Sequence, residues 1–210
     1  MFHKHQQSGA SLIERYGWHI PAHFAAAEEE ASRVRGAAGL ADLSWMLKFD
    51  LKGYGLKSAP ALPLSAHRWT LAPLHALITC DPSARQAVME SLQAMHAAGS
   101  DLSLPPPVYI TDVTAVYAQF LLAGPRCRDI LCKLTSLNLS ESSLPDLSCG
   151  QASLAHVRAI ILRKDFDGAP AYHLLVSREY GESIWDSVLH ASREFDVAPF
   201  GLEAQQLLRV

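Results

Sequence analysis

Long apolar runs are missing from this chain. No stretch of about eighteen apolar residues occurs, so a membrane-spanning helix is not expected. The opening residues, MFHKHQQSGASLIERYGW, are too polar for the apolar segment of a secretory signal. Cytoplasmic residence is therefore the expectation. Cysteine is scarce: Cys80, Cys127, Cys132 and Cys149 do not form the paired pattern of a disulfide framework. Cys127 and Cys132 are five apart in a predicted helix and do not share a face, so they read as packing residues rather than a metal site. No run of Lys and Arg is present, and a formal net charge of −3 gives no general pull on phosphate backbones. Nucleic acid is not an expected partner. A Gly-x-Ser-x-Gly elbow is absent, which leaves serine nucleophile chemistry without an anchor. Gly36, Gly39 and Gly53 are isolated, so no phosphate-binding glycine loop is formed either.

The composition that remains, 49% hydrophobic and 19% charged over 210 residues, suits one large or two small domains. A short amphipathic piece stops near Gly17, and Pro21 is expected to break the chain. Strong helix formers run from Ala25 to Arg35, with Gly36 or Gly39 able to end the helix. Three glutamates in its first half suit the helix dipole and read as a solvated face. LADLSWMLKFDLKG alternates as a strand, with Leu47, Phe49 and Leu51 on one side and Met46, Lys48, Asp50 and Lys52 on the other. RWTLAPLHALITC is extended. Asp81 and Pro82 then mark a helix start, with Ala84, Val88, Leu92 and Met95 on its apolar face and Gly99 at its end. The prolines at 105–107 form a connector or seam. Two extended segments follow to Gly124, then a short helix after Pro125 and a polar loop. ASLAHVRAIILRK and AYHLLVS are predicted as the two strands of a hairpin that turns at Gly168. A helix over EYGESIWDSVLHASREF carries Ile184/Val188 and Trp185/Leu189 at i, i+4. This mixed, non-repeating order is α+β.

Several of these segments carry a family resemblance. Gly17, Trp18 and Pro21, then Val34 and Arg35, then Gly39, Asp42, Ser44 and Met46, then Asp50 to Gly53, stand as in the T-protein of the glycine cleavage system. That protein is the folate-dependent aminomethyltransferase. DVTAVYAQFLLAGP resembles the family's Asp-x-Ser segment and Gln-Gly-Pro turn through Asp112, Gly124 and Pro125. RKDFDGAPAYHLLV resembles its Arg-Thr-Gly-Tyr-Thr-Gly-Glu-x-Gly-Tyr-Glu hairpin, and PFGLEAQQLLRV its Pro-x-Gly-Leu-x-Ala-Arg-Asp-x-Leu-Arg ending. The likeness covers the folate-binding part of the family. It implies a single shortened folate-binding domain with a seam near 100–108, and the family's C-terminal barrel would follow residue 210.

The resemblance also marks departures. In the family, the glutamate of Gly-Tyr-Glu and the arginine of Ala-Arg-Asp help hold the pterin. Here those positions are His173 and Gln205, while Ala169 and Ala171 replace a glutamate and a glycine. Gly168 and Tyr172 remain. A family Asp-Asp pair supplies the key catalytic carboxylate, yet no Asp or Glu lies between Gly53 and Cys80. The resemblance therefore implies a candidate tetrahydrofolate-binding set of Met46, Tyr172, His173 and Gln205, with no catalytic residue and no metal. The leading expectation is a non-catalytic, ligand-binding or structural subunit of one-carbon or amine metabolism. The gamma subunit of heterotetrameric sarcosine oxidase offers a family precedent for a short copy without its own chemistry.

Two alternatives stand beside it. One is an active aminomethyltransferase using Asp112, Asp165 or Asp167 as a replacement carboxylate. The other is a partner-binding adaptor whose uncovered apolar surface is buried by a homo-oligomer or a larger complex. His19 and His23 at i, i+4 are separated by Pro21 and read as ordinary histidines rather than metal ligands. His3 and His5 are expected in a frayed terminus.

Overall fold

The computed structural model describes residues 1–58, 62–97, 108–166 and 168–208. It begins with helix α1 (Phe2–Gln7) and a ribbon of β1 (Ser11–Arg15) and β2 (Trp18–His23). Helix α2 (Ala27–Gly36) leads to β3 (Gly39–Asp42) and β4 (Leu47–Lys52). The hairpin β5 (Ala66–Ala72) and β6 (His75–Cys80) precedes α3 (Arg85–Ala97) and β7 (Tyr109–Asp112). Strand β8 (Tyr117–Ala123) is followed by α4 (Cys127–Leu131), β9 (Cys149–Leu154), β10 (Val157–Arg163) and β11 (Ala171–Ser177). Helix α5 (Gly181–Ala191), the short β12 (Ala198–Pro199) and α6 (Leu202–Leu208) complete the order. The α+β class holds. Among the described residues, no helix is long and apolar enough to cross a membrane.

Contacts divide the chain into two compact units, Met1–Trp45 with Tyr117–Val210, and Met46–Val116. In the first, a six-stranded sheet runs in the order β12-β3-β8-β11-β10-β9, antiparallel except for the β12/β3 pair. One face of its central strands supplies Leu40, Phe120, Leu122 and Leu174 to a core closed by Ile130 of α4 and Trp185 of α5. Strand β8 is buried on both faces, as its nearly unbroken apolar run requires. In the second unit, the sheet order is β5-β6-β4-β7, all antiparallel. Leu47, Phe49 and Leu51 pack there with Val88, Leu92 and Met95 of α3, the face that the alternation predicts. Asp81 caps the start of that helical segment, its Oδ1 accepting the Ser83 N–H at 2.8 Å, with Pro82 in the first turn. Gly99, the triple proline and most of the expected seam lie outside the described residues.

Four expectations are corrected by tertiary contacts. Pro21 does not break the chain; it sits within β2 opposite Leu12, where a two-stranded ribbon leaves room for a residue that cannot donate. ASLAHVRAIILRK is not one strand, because Ala155 and His156 turn it into the β9/β10 hairpin with φ of 45° and 69°. Of the three glutamates, Glu30 is buried rather than solvated, at 4% exposure. His5 is not frayed: it is 1% exposed on α1, with Nε2 2.8 Å from Asp42 Oδ2. The strand face of Lys48 also holds a surprise, since Lys48 is fully buried and donates from Nζ to the Met46 carbonyl at 2.7 Å.

Candidate functional site

Strands β10 and β11 meet at the turn that glycine marks in the sequence. Gly168 has φ of 76°, the left-handed region that glycine enters without steric cost. Phe166 and Ala169 exchange backbone hydrogen bonds of 3.0 and 2.7 Å across the turn. Asp167 lies outside the described residues. Beyond the turn, Arg163 pairs with Tyr172 and Leu162 with His173.

Successive strand residues face opposite sides, so Tyr172 and His173 part company. Tyr172 turns into the hydrophobic core and is fully buried. Burial pushes its phenol up, against the opposing hydrogen bond and charge of Arg128. His173 is half-buried on the other side, with Nδ1 3.1 Å from Nε2 of Gln119. An amide nitrogen can only donate, so Nδ1 accepts and the neutral ring carries its proton on Nε2.

Gln119 belongs to a longer polar chain. Its backbone N–H donates to Ser44 Oγ at 3.2 Å, the Ser44 N–H donates to Asp42 Oδ1 at 2.9 Å, and Asp42 Oδ2 meets His5. Burial pushes the Asp42 carboxyl up, but the hydrogen bonds and charge of His5, with those of Ser44, outweigh it and hold the pKa below its ordinary value. Sequence reasoning passed over Gln119. Its signal is a lone amide inside the apolar run YAQFLLA, where a buried polar group demands partners.

The other candidates are distributed differently. Gln205 sits buried on α6, which packs against α2 and β2. Met46 belongs to the second unit, where its carbonyl receives Lys48. Asp165 is held by Arg163, whose Nε and Nη2 donate to its two oxygens at 2.9 and 2.7 Å. The same guanidinium donates to the Leu144 carbonyl at 2.7 Å and to Glu141 at 3.0 Å, tying the polar loop to the hairpin. Asp112 accepts the Thr114 N–H and faces Arg85 at 3.6 Å. Both described carboxylates are thus engaged in structural contacts. Among its described residues, the hairpin presents the half-buried His173 imidazole and the Arg163-held Asp165 carboxylate.

Comparison with known proteins supplies the frame for this geometry. The profile described as the GCVT N-terminal domain matches residues 68–210. An aminomethyltransferase of Geobacillus thermodenitrificans (strain NG80-2) is 28% identical over 232 residues, covering 100% of this chain and 62% of that protein. Sarcosine oxidase subunit alpha of Rhizobium meliloti (strain 1021) is 34% identical over 105 residues, 49% of this chain and 11% of its own. The chain spans about three fifths of the length of the curated aminomethyltransferases it matches. Among solved structures, the glycine cleavage system aminomethyltransferase T of Bartonella henselae superposes with a TM-score of 0.73 at 17% identity, over 99% of this chain and 60% of that one. A chain of the heterotetrameric sarcosine oxidase of Corynebacterium sp. U-96 gives 0.60 at 16% identity, over 80% and 92%. Those two likenesses establish the fold, and the profile match establishes the kinship: the chain belongs to the GCVT N-terminal domain family.

Proposed function

We propose that this protein is a non-catalytic member of its family, a folate-type ligand-binding or structural subunit in one-carbon or amine metabolism. The observation that carries the reading is the His173–Gln119 contact of 3.1 Å. Where the family places a two-oxygen acceptor for pterin N–H groups, this contact commits Nδ1 and leaves the ring proton on Nε2. An imidazole then stands in place of a carboxylate, and tetrahydrofolate is held more weakly than a carboxylate would hold it. The chain's lack of any acid between Gly53 and Cys80 supports the absence of transfer chemistry. Relatives named as sarcosine oxidase subunits support the subunit role.

Calorimetric titration with tetrahydrofolate tests this, using wild type and His173→Glu side by side. A carboxylate restores charge-assisted hydrogen bonds worth about 1.5–3 kcal/mol, so the variant is expected to bind at least about ten-fold tighter. If neither protein binds, the folate part of the reading fails. Aminomethyl transfer by the wild type would overturn the non-catalytic part.

A further inference from the structure

Helix α1 is tied to the rest of the first unit without a peptide hydrogen bond. Among the described residues, those of residues 1–10 all close within the segment: His5 N–H donates to the Met1 carbonyl, Ser8 to Lys4 and His5, Gly9 to Gln6, and Ala10 to His5. Pairing with β2 begins only at Ser11. A helix of six residues is well below the roughly 12–15 that are even marginally stable alone in water, so its order comes from its seat.

That seat is acidic. Lys4 Nζ donates to both oxygens of Asp186 at 2.6 Å, the Met1 ammonium meets Glu182 one turn earlier on α5 at 3.2 Å, and His5 Nε2 lies 2.8 Å from Asp42 Oδ2. Of the helix only His5 is buried, its ring 5.1 Å from that of Trp185 and 5.9 Å from that of Phe24. Met1 reaches the edge of the large core, and Phe2 rests against the His19 ring at 4.9 Å while staying exposed. Two rim ion pairs and one buried ring are a small hold beside strand β8, which is buried from Ala118 to Ala123. Segments with so little buried surface open at far lower cost than a core strand. A hinge is also in place. Gly9 has φ of 79°, and nothing lies within 4 Å of the point where a Cβ would stand. Such a position can absorb the backbone change of a swinging segment.

We propose that residues 1–8 form an electrostatically latched strap, which lifts as one unit about Gly9 while the six-stranded sheet stays folded. Lifting uncovers the Asp42 carboxylate and the side of Trp185 that His5 covers. It also removes Met1, Phe2 and His5 from the wall of a cavity of about 500 Å³. Off its seat the short helix does not persist, so its hydrogen bonds break together. The strap does not depend on the ligand of the β10/β11 hairpin.

Hydrogen exchange of the full chain, read amide by amide by NMR where exchange reports equilibrium opening, provides the test. The bonded amides of His5, Ser8, Gly9 and Ala10 are the probes, and those of β8 and β11 the reference. The four are expected to share one protection factor within about two-fold, and to lie at least about a hundred-fold below the reference. Asp186→Asn, at an exposed position of α5, should lower all four by the same factor of about two to five and leave the reference unchanged. Lys4→Met, from the other side of the pair, should reproduce that shift. The proposal is overturned if protection is graded from Ala10 down to His5, which is fraying. It is equally overturned if the four amides have no protection, if they match the reference, or if both variants leave them at wild-type values.

Discussion

Glu28, Glu29 and Glu30 are alike in sequence and unlike in the fold. The first two stay towards solvent, and Glu29 makes an i, i+4 pair with Arg33 at 3.1 Å. Glu30 turns inward, where Oε1 accepts the N–H groups of Phe24 and Ala25 at 2.5 and 2.8 Å and Oε2 that of Gly201 at 2.8 Å. One carboxylate thus joins the entry to α2 with the entry to α6. Deleting it strands three backbone donors, so Glu30→Ala is expected to cost about 2–4 kcal/mol. Glu29→Ala should cost about 0.5 kcal/mol or less, since exposed pairs contribute little. Urea midpoints at unchanged slope measure both, and equal effects would contradict the inward role. His5 follows the same logic, being placed by Asp42 rather than by its neighbours. Neither residue was legible beforehand. Apolar periodicity reports which face is buried, whereas a lone buried polar group is chosen by a partner 37 residues away for His5 and 171 for Glu30.

Among elements, the two hairpins of the large sheet show what turn chemistry reveals and hides. The β10/β11 turn was readable because Gly168 supplies the positive φ that such a turn needs. The β9/β10 turn was not, because Ala155 and His156 occupy left-handed positions without the Asn-Gly signature. Sheet pairing on both flanks enforces that geometry, from Val157/Leu154 onward on one side and Ala159/Val176 onward on the other. Left-handed backbone costs an ordinary residue roughly 1–2 kcal/mol. Replacing the pair with Asn-Gly, as Ala155→Asn with His156→Gly, should therefore stabilise the protein by about 1 kcal/mol, read as a higher urea midpoint. A fall in the midpoint would mean that the native side chains contribute packing that outweighs the strain.

At the scale of the whole molecule, the α+β class and the family were legible because local signals agree with one another: Gly17-Trp18, Asp81-Pro82, Gly168 and the alternation of β4 all match the elements they announce. The division at Trp45/Met46 and Val116/Tyr117 was not legible. Each boundary falls inside a motif that reads as continuous, and neither carries a proline or glycine. Acid stability is the global property that the buried polar chain should control. Asp42 has its carboxyl held below the ordinary value of 3.8, burial opposing and the His5 and Ser44 interactions prevailing. The unfolded chain therefore takes up this proton first as the pH falls. The stability so supplied is complete above the unfolded value and is lost as the pH drops below it through the folded value. Acidification also reverses the formal net charge of −3, a change that wild type and variant share away from this contact. Unfolding free energies of wild type and Asp42→Asn between pH 7 and pH 2 isolate the contribution. The variant should be less stable at pH 7, and the gap should narrow below about pH 4, because only the wild type has an ionised Asp42 to lose. Parallel curves would show that the His5–Asp42 contact does not depend on the carboxylate charge.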